Sequence, residues 1–145
     1  MIKHKYVVLQ TSWGIHITIY GEVREYNTDV KWDNILQIND FLWLYCDNVY
    51  SIYPNLLGEV ELAMIKKMIL LLSNHIKQHS KYDKSIIMIR GLQYNYCDYQ
   101  EEGLAVAIAQ WLAKAFKFEI PDIPVKYDHS MNKYIFNFSV LDDFI

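Results

Sequence analysis

The chain has 145 residues and a formal net charge of −3; apolar residues make up 52% of it and aromatics 15%, including 12 Tyr and 4 Trp. This composition excludes a disordered chain and supplies one sizeable core, so a single globular α+β domain over residues 1–145 is expected. The small negative charge argues against a protein whose main work is neutralising phosphates, and no direct nucleic-acid partner is expected.

The apolar run at Tyr6, Val7, Val8 and Leu9 is too short for a signal-peptide core. The longest apolar stretch, Met68 to Leu72, falls well short of the roughly 20 residues a membrane helix needs. A cytoplasmic location without a membrane anchor is the expectation. Cys46 and Cys97 lack the CxxC spacing of a metal or redox site and read as two reduced thiols, with a Cys46–Cys97 disulfide as the alternative.

Residues 5–10 and 15–20 are rich in Val, Ile and Tyr, and the second run alternates with period two, which predicts a β-hairpin across Thr11, Ser12, Trp13 and Gly14. From Trp32 to about Tyr45, apolar residues recur at spacings of three and four behind Asp33, which predicts a helix. Pro54 and Asn55 mark a turn. A long helix is expected from about Gly58 to His79, with Val60, Leu62, Ile65, Ile69, Leu72 and Ile76 along its face, and the breadth of its apolar stripe predicts a central position.

The continuous apolar run Ser85 to Ile89 predicts an inner strand buried on both faces. Asp98 and Glu101 have the spacing of a capping box ahead of a helix through Leu104, Ile108, Trp111 and Ala115. Pro121 and Pro124 close that helix, and a second hairpin is expected from Ile123 to Tyr127 and Tyr134 to Phe138. The predicted order is ββ-αα-β-α-ββ, a mixed or antiparallel sheet packed against about three to four helices.

No phosphate-binding glycine pattern and no GxSxG can be written. His75 and His79 have the spacing of two metal ligands but sit at a polar helix end where cations favour the dipole, so no metal site is expected there. Glu101 and Glu102 are adjacent and point apart on a helix, which disfavours an acid–base pair. Charge placement is more informative. Residues 22–61 carry Glu22, Glu25, Asp29, Asp33, Asp40, Asp47, Glu59 and Glu61 against Arg24 and Lys31, a balance of −6. Residues 66–90 carry Lys66, Lys67, Lys77, Lys81, Lys84 and Arg90 against Asp83, a balance of +5. Interleaved with the acids are Tyr26, Trp32, Trp43, Tyr45, Tyr50 and Tyr53, a combination suited to steered, desolvating contact with a basic protein; a solvated acidic side over an aromatic core is the plainer alternative.

The run from Tyr96 to Leu104, continuing through Ala105, Ala107, Trp111 and Leu112 to Phe116, resembles a pattern in small bacterial immunity proteins, the cytoplasmic antidotes encoded beside polymorphic or contact-dependent growth-inhibition toxins. The segment Tyr134 to Phe138 is compatible with it, so the resemblance covers roughly residues 93–138. It implies a non-enzymatic inhibitor that binds a cognate toxin domain, often a nuclease, without a cofactor. No functional residue carries over from that family. Partner contacts are therefore expected, from charge and aromatic placement, at Tyr26, Asp29, Trp32, Asp33, Asp40, Asp47 and Tyr50. A small enzyme assembled around Cys97, His16 or His129, and an adaptor self-associating as a homodimer through Trp13, Trp43 or Phe144, are the alternatives.

Overall fold

The computed structural model describes residues 1–46 and 58–145. Its architecture is α+β. Strands β1 (Ile2–Leu9), β2 (Gly14–Glu25), β3 (Ile35–Gln37), β4 (Leu42–Cys46) and β5 (Ser85–Gln93) form one sheet in the order β1-β2-β5-β4-β3. All neighbours are antiparallel except β4 and β5. Helices α1 (Glu59–Leu71), α2 (Ser73–His79) and α3 (Glu101–Phe116) belong to the core on one sheet face. A two-stranded ribbon of β6 (Val125–Asp128) and β7 (Lys133–Phe136) completes the described elements.

The first hairpin follows its alternation. Ile15, Ile17 and Ile19 of β2 and Tyr6 and Val8 of β1 face the helices and are buried, while Lys3, Lys5, Val7 and Leu9 point the other way and are exposed. As expected from its unbroken apolar run, β5 lies in the middle of the sheet. Ile87 and Ile89 enter the helix-packed core, and Ile86 and Met88 enter a smaller cluster on the opposite face.

The helix expected over Trp32 to Tyr45 is instead the pair β3–β4. Leu42 and Leu44 face one side and Trp43 and Tyr45 the other, with both sides covered, so a two-sided strand imitates helical spacing. Local chemistry favours the turn. Asn34 has φ 58°, and the Asn39 side chain accepts from the Phe41 N–H at 3.0 Å. Asp33 consequently starts no helix and lies exposed in a loop.

The long helix is present from Glu59 to His79, with one irregular residue at Leu72 that still bonds Met68 and Ile76 through its backbone. It is not the most enclosed helix, because Val60 and Leu70 are exposed. That place belongs to α3, where eleven of sixteen residues are buried. Gly21 of β2 leaves room for the Trp111 indole, whose Nε1 donates to Ile2 O at 3.1 Å. Gly103 brings α3 against Ile15 and Ile17 in the same way.

The capping box is absent: Asp98 closes a 3-10 turn at Tyr96–Asp98, and Gln100 is the N-cap without a side-chain cap bond. Glu101 and Glu102 still complement the dipole in the first turn. The Gln100 amide instead binds the ribbon, giving Nε2 to Tyr134 O at 2.6 Å and accepting Tyr134 N–H at 2.9 Å. Gln10 does the same for β6, giving Nε2 to Val125 O at 3.0 Å and accepting Tyr127 N–H at 2.8 Å. Two glutamine side chains thus moor the second hairpin where no strand of the main sheet reaches it.

The expected turn at Pro54 and Asn55 lies outside the described residues. Among the described residues no helix is long and apolar enough to cross a membrane.

Candidate functional site

Among the described residues no helix contributes to the cluster on the second face of the main sheet. At its centre Trp43, Ile86 and Met88 are buried, and Tyr26, Trp32, Ile35 and Tyr45 pack against them. Tyr26 stacks on Trp43 with centroids 3.7 Å apart and planes 7° apart. Strand directions explain how the loop residues arrive there. β2 is antiparallel to β5, β5 parallel to β4 and β4 antiparallel to β3, so β2 and β3 run the same way. Residues 26–34 must therefore return along the sheet, and Tyr26 and Trp32 hold that return segment on the face opposite the helices. The Tyr26 N–H anchors its start on Lys84 O at 2.8 Å.

The pairing register passes from Tyr20–Gly91 to Gly21–Ile89, leaving Arg90 as the extra residue of a β-bulge. The Arg90 guanidinium bonds Glu22 at 3.1 Å and lies 5.6 Å from the Tyr45 ring centroid. Glu22 also pairs with Arg24 at 2.7 Å, so both ion pairs among the described residues converge on one carboxylate. Lys84 lies 5.8 Å from the centroid of Trp43.

Of the expected contact residues, Tyr26 and Trp32 are brought together in this cluster. Asp29 and Asp33 are exposed on the returning loop, and Asp40 is exposed in the β3–β4 turn, none with an ion-pair partner among the described residues. Asp47 and Tyr50 lie outside the described residues. Sequence reasoning placed Trp43 and Tyr45 in a helix and so missed them as the floor of the cluster, together with the contribution of Ile86 and Met88. Trp32 Nε1 is enclosed without an acceptor among the described residues, a condition that ordinarily costs a folded chain about 1–3 kcal/mol.

Elsewhere the histidines are engaged in packing. His75 stacks on Phe144 with centroids 3.9 Å apart and is hydrogen-bonded to the Phe144 carbonyl, while His79 Nδ1 is 2.9 Å from His75 O. No group of three or more His, Cys, Asp or Glu able to hold a metal occurs among the described residues. A concavity of about 550 Å³ against the β6–β7 ribbon is lined by Lys126, Asp128 and His129 but by neither His16 nor Cys97. The Asp128 carboxyl is held below the usual range by hydrogen bonds from the Ser130 hydroxyl and the Met131 and Ser130 backbone, the bonds of a structural turn. Cys46 and Cys97 are both free thiols.

Comparison with protein-family models, with curated proteins and with solved structures returns no match.

Proposed function

We propose that this protein is a non-catalytic, protein-binding inhibitor of the immunity type, a cytoplasmic antidote that docks on a cognate basic toxin domain through the loop crossing the sheet face opposite α1, α2 and α3. The observation that carries this reading is the aromatic cluster of Tyr26, Trp32 and Trp43 on that face, together with exposed Asp29, Asp33 and Asp40 on the segments that lead into it. Aromatic anchors ringed by charge combine desolvated contact with steered encounter. The resemblance of residues 93–138 to immunity proteins supports the same class, and no cofactor enters.

Genetic neighbourhood followed by binding tests it. A large secreted protein encoded beside this chain and ending in a small basic domain is expected, and co-expression is expected to relieve that domain's toxicity. The double substitution Asp33→Lys and Asp40→Lys is expected to slow association and weaken binding by about tenfold or more. An unchanged affinity, or toxicity that the chain does not relieve, overturns the reading.

A further inference from the structure

We infer that the free edge of β1 is a second docking site, one that accepts an extended acidic segment of a partner protein by strand addition. This goes beyond the loop site and does not depend on it. β1 is the outermost strand of the main sheet and pairs only with β2 among the described residues. In an antiparallel edge, every second residue turns both its N–H and its C=O outward, a ready template for another strand. The Ile2 and Lys3 carbonyls already accept from Trp111 and from Lys114 at 2.7 Å, and Gln10 N–H donates to Tyr134. The open stretch is therefore Lys5 to Leu9.

Its outward side chains define the occupant. On the face opposite the helices β1 presents Lys3, Lys5, Val7 and Leu9 in sequence, with Val7 45% and Leu9 67% exposed. Lys3 is 5.7 Å from the centroid of Tyr20 on β2, and neither Lys3 nor Lys5 has an ion-pair partner among the described residues. A second copy of this chain is disfavoured, because two-fold pairing of β1 over the open stretch sets Lys5 of each copy opposite Leu9 of the other and offers the lysines no carboxylate, β1 having no acid. An acidic strand has the opposite sign. In antiparallel pairing its pattern is two apolar residues at alternate positions, opposite Leu9 and Val7, followed at the same spacing by two carboxylates, opposite Lys5 and reaching Lys3. A nucleic-acid strand would satisfy the charge but has no ladder of amides and carbonyls to offer the edge.

The probe is a fluorescent peptide, Val-Thr-Val-Thr-Glu-Thr-Glu, with a counterpart carrying Lys in place of Glu, titrated against the full chain by anisotropy. The acidic peptide is expected to bind at least about tenfold more tightly than its counterpart, since two cross-strand pairs change from attractive to repulsive. Lys3→Glu with Lys5→Glu is expected to reverse that preference, while Asp33→Lys with Asp40→Lys leaves it unchanged. Both pairs are exposed, and unchanged circular dichroism confirms that each variant folds. Slowed amide exchange at alternate residues of β1 is the signature of strand addition. The inference is overturned by equal binding of the two peptides, by a preference that survives the β1 substitutions or is lost in the Asp33 and Asp40 variant, by tighter binding of oligothymidylate through the same lysines, or by dimerisation through β1 in sedimentation.

Discussion

Gln100 gives Tyr134 the two hydrogen bonds that a neighbouring strand residue would give: its amide nitrogen reaches Tyr134 O at 2.6 Å and its amide oxygen receives Tyr134 N–H at 2.9 Å. Tyr134 is buried, and its hydroxyl continues the link by donating to Trp13 O at 2.7 Å. Gln100→Ala is therefore expected to cost about 2–3 kcal/mol in denaturant unfolding, the loss of two hydrogen bonds plus the stranding of their buried partners. Gln100→Glu is expected to be nearly as costly, because a carboxylate faces the Tyr134 carbonyl without a proton to donate. A change below about 0.5 kcal/mol for both would show that the ribbon is held by packing alone.

Gly21 has no room for a side chain. A Cβ there would stand 2.6 Å from Met88 O and 2.6 Å from the Trp111 ring, one of them backbone and the other a fully enclosed indole. Gly21→Ala is expected to destabilise by about 2–3 kcal/mol and to change the near-ultraviolet spectrum of Trp111. A neutral substitution would mean that the indole sits farther from β2 than the structure has it.

Trp32 carries an enclosed indole donor with no acceptor among the described residues. Trp32→Phe keeps an aromatic in the cluster and removes that donor, so a stability change of less than about 1 kcal/mol is expected, with either sign, while affinity for the proposed partner falls. Equal losses in stability and affinity would assign Trp32 to the core and remove it from the proposed interface.

The two thiols should separate cleanly by reactivity. Cys97 is exposed, whereas burial pushes the Cys46 thiol from 9.0 up to about 12. At pH 8 Cys46, which is partly buried, is then thiolate in roughly one molecule in ten thousand, and a disulfide-exchange reagent is expected to titrate Cys97 rapidly and Cys46 far more slowly until the chain unfolds. Because the fold favours the protonated thiol, this contribution to stability is complete below pH 9 and is lost as pH rises from about 9 to 12. Burial likewise pushes Tyr6 up to about 12, reinforcing the alkaline decline. Two equally fast thiols would contradict the enclosure of Cys46.

The elements legible in the sequence were those with one clear period, together with β5, whose unbroken apolar run marks a strand covered on both faces. The β1–β2 hairpin, the helical run to His79 and the β6–β7 ribbon each carry a single period. Trp43 and Tyr45 could not be placed, because the apolar residues of the two-sided β4 join Ile35, Leu36 and Ile38 of the preceding segment at spacings of three and four that imitate a helix. Asp98 and Glu101 matched a capping pattern, yet Asp98 closes a 3-10 turn and the cap falls two residues later, at Gln100. The acids of the candidate site were visible as charge. Their setting was not, since it depends on Ile86 and Met88, more than forty residues away along the chain.

The segment that returns from β2 to β3 crosses the sheet with Tyr26 and Trp32 tied into the face beneath it. Asp29 and Asp33 sit between and beside those ties and touch none of the helix-packed core. Exposed and outside that core, they can change at little cost to folding, so under the proposed function one partner is exchanged for another by rewriting a few loop residues while the scaffold stays fixed.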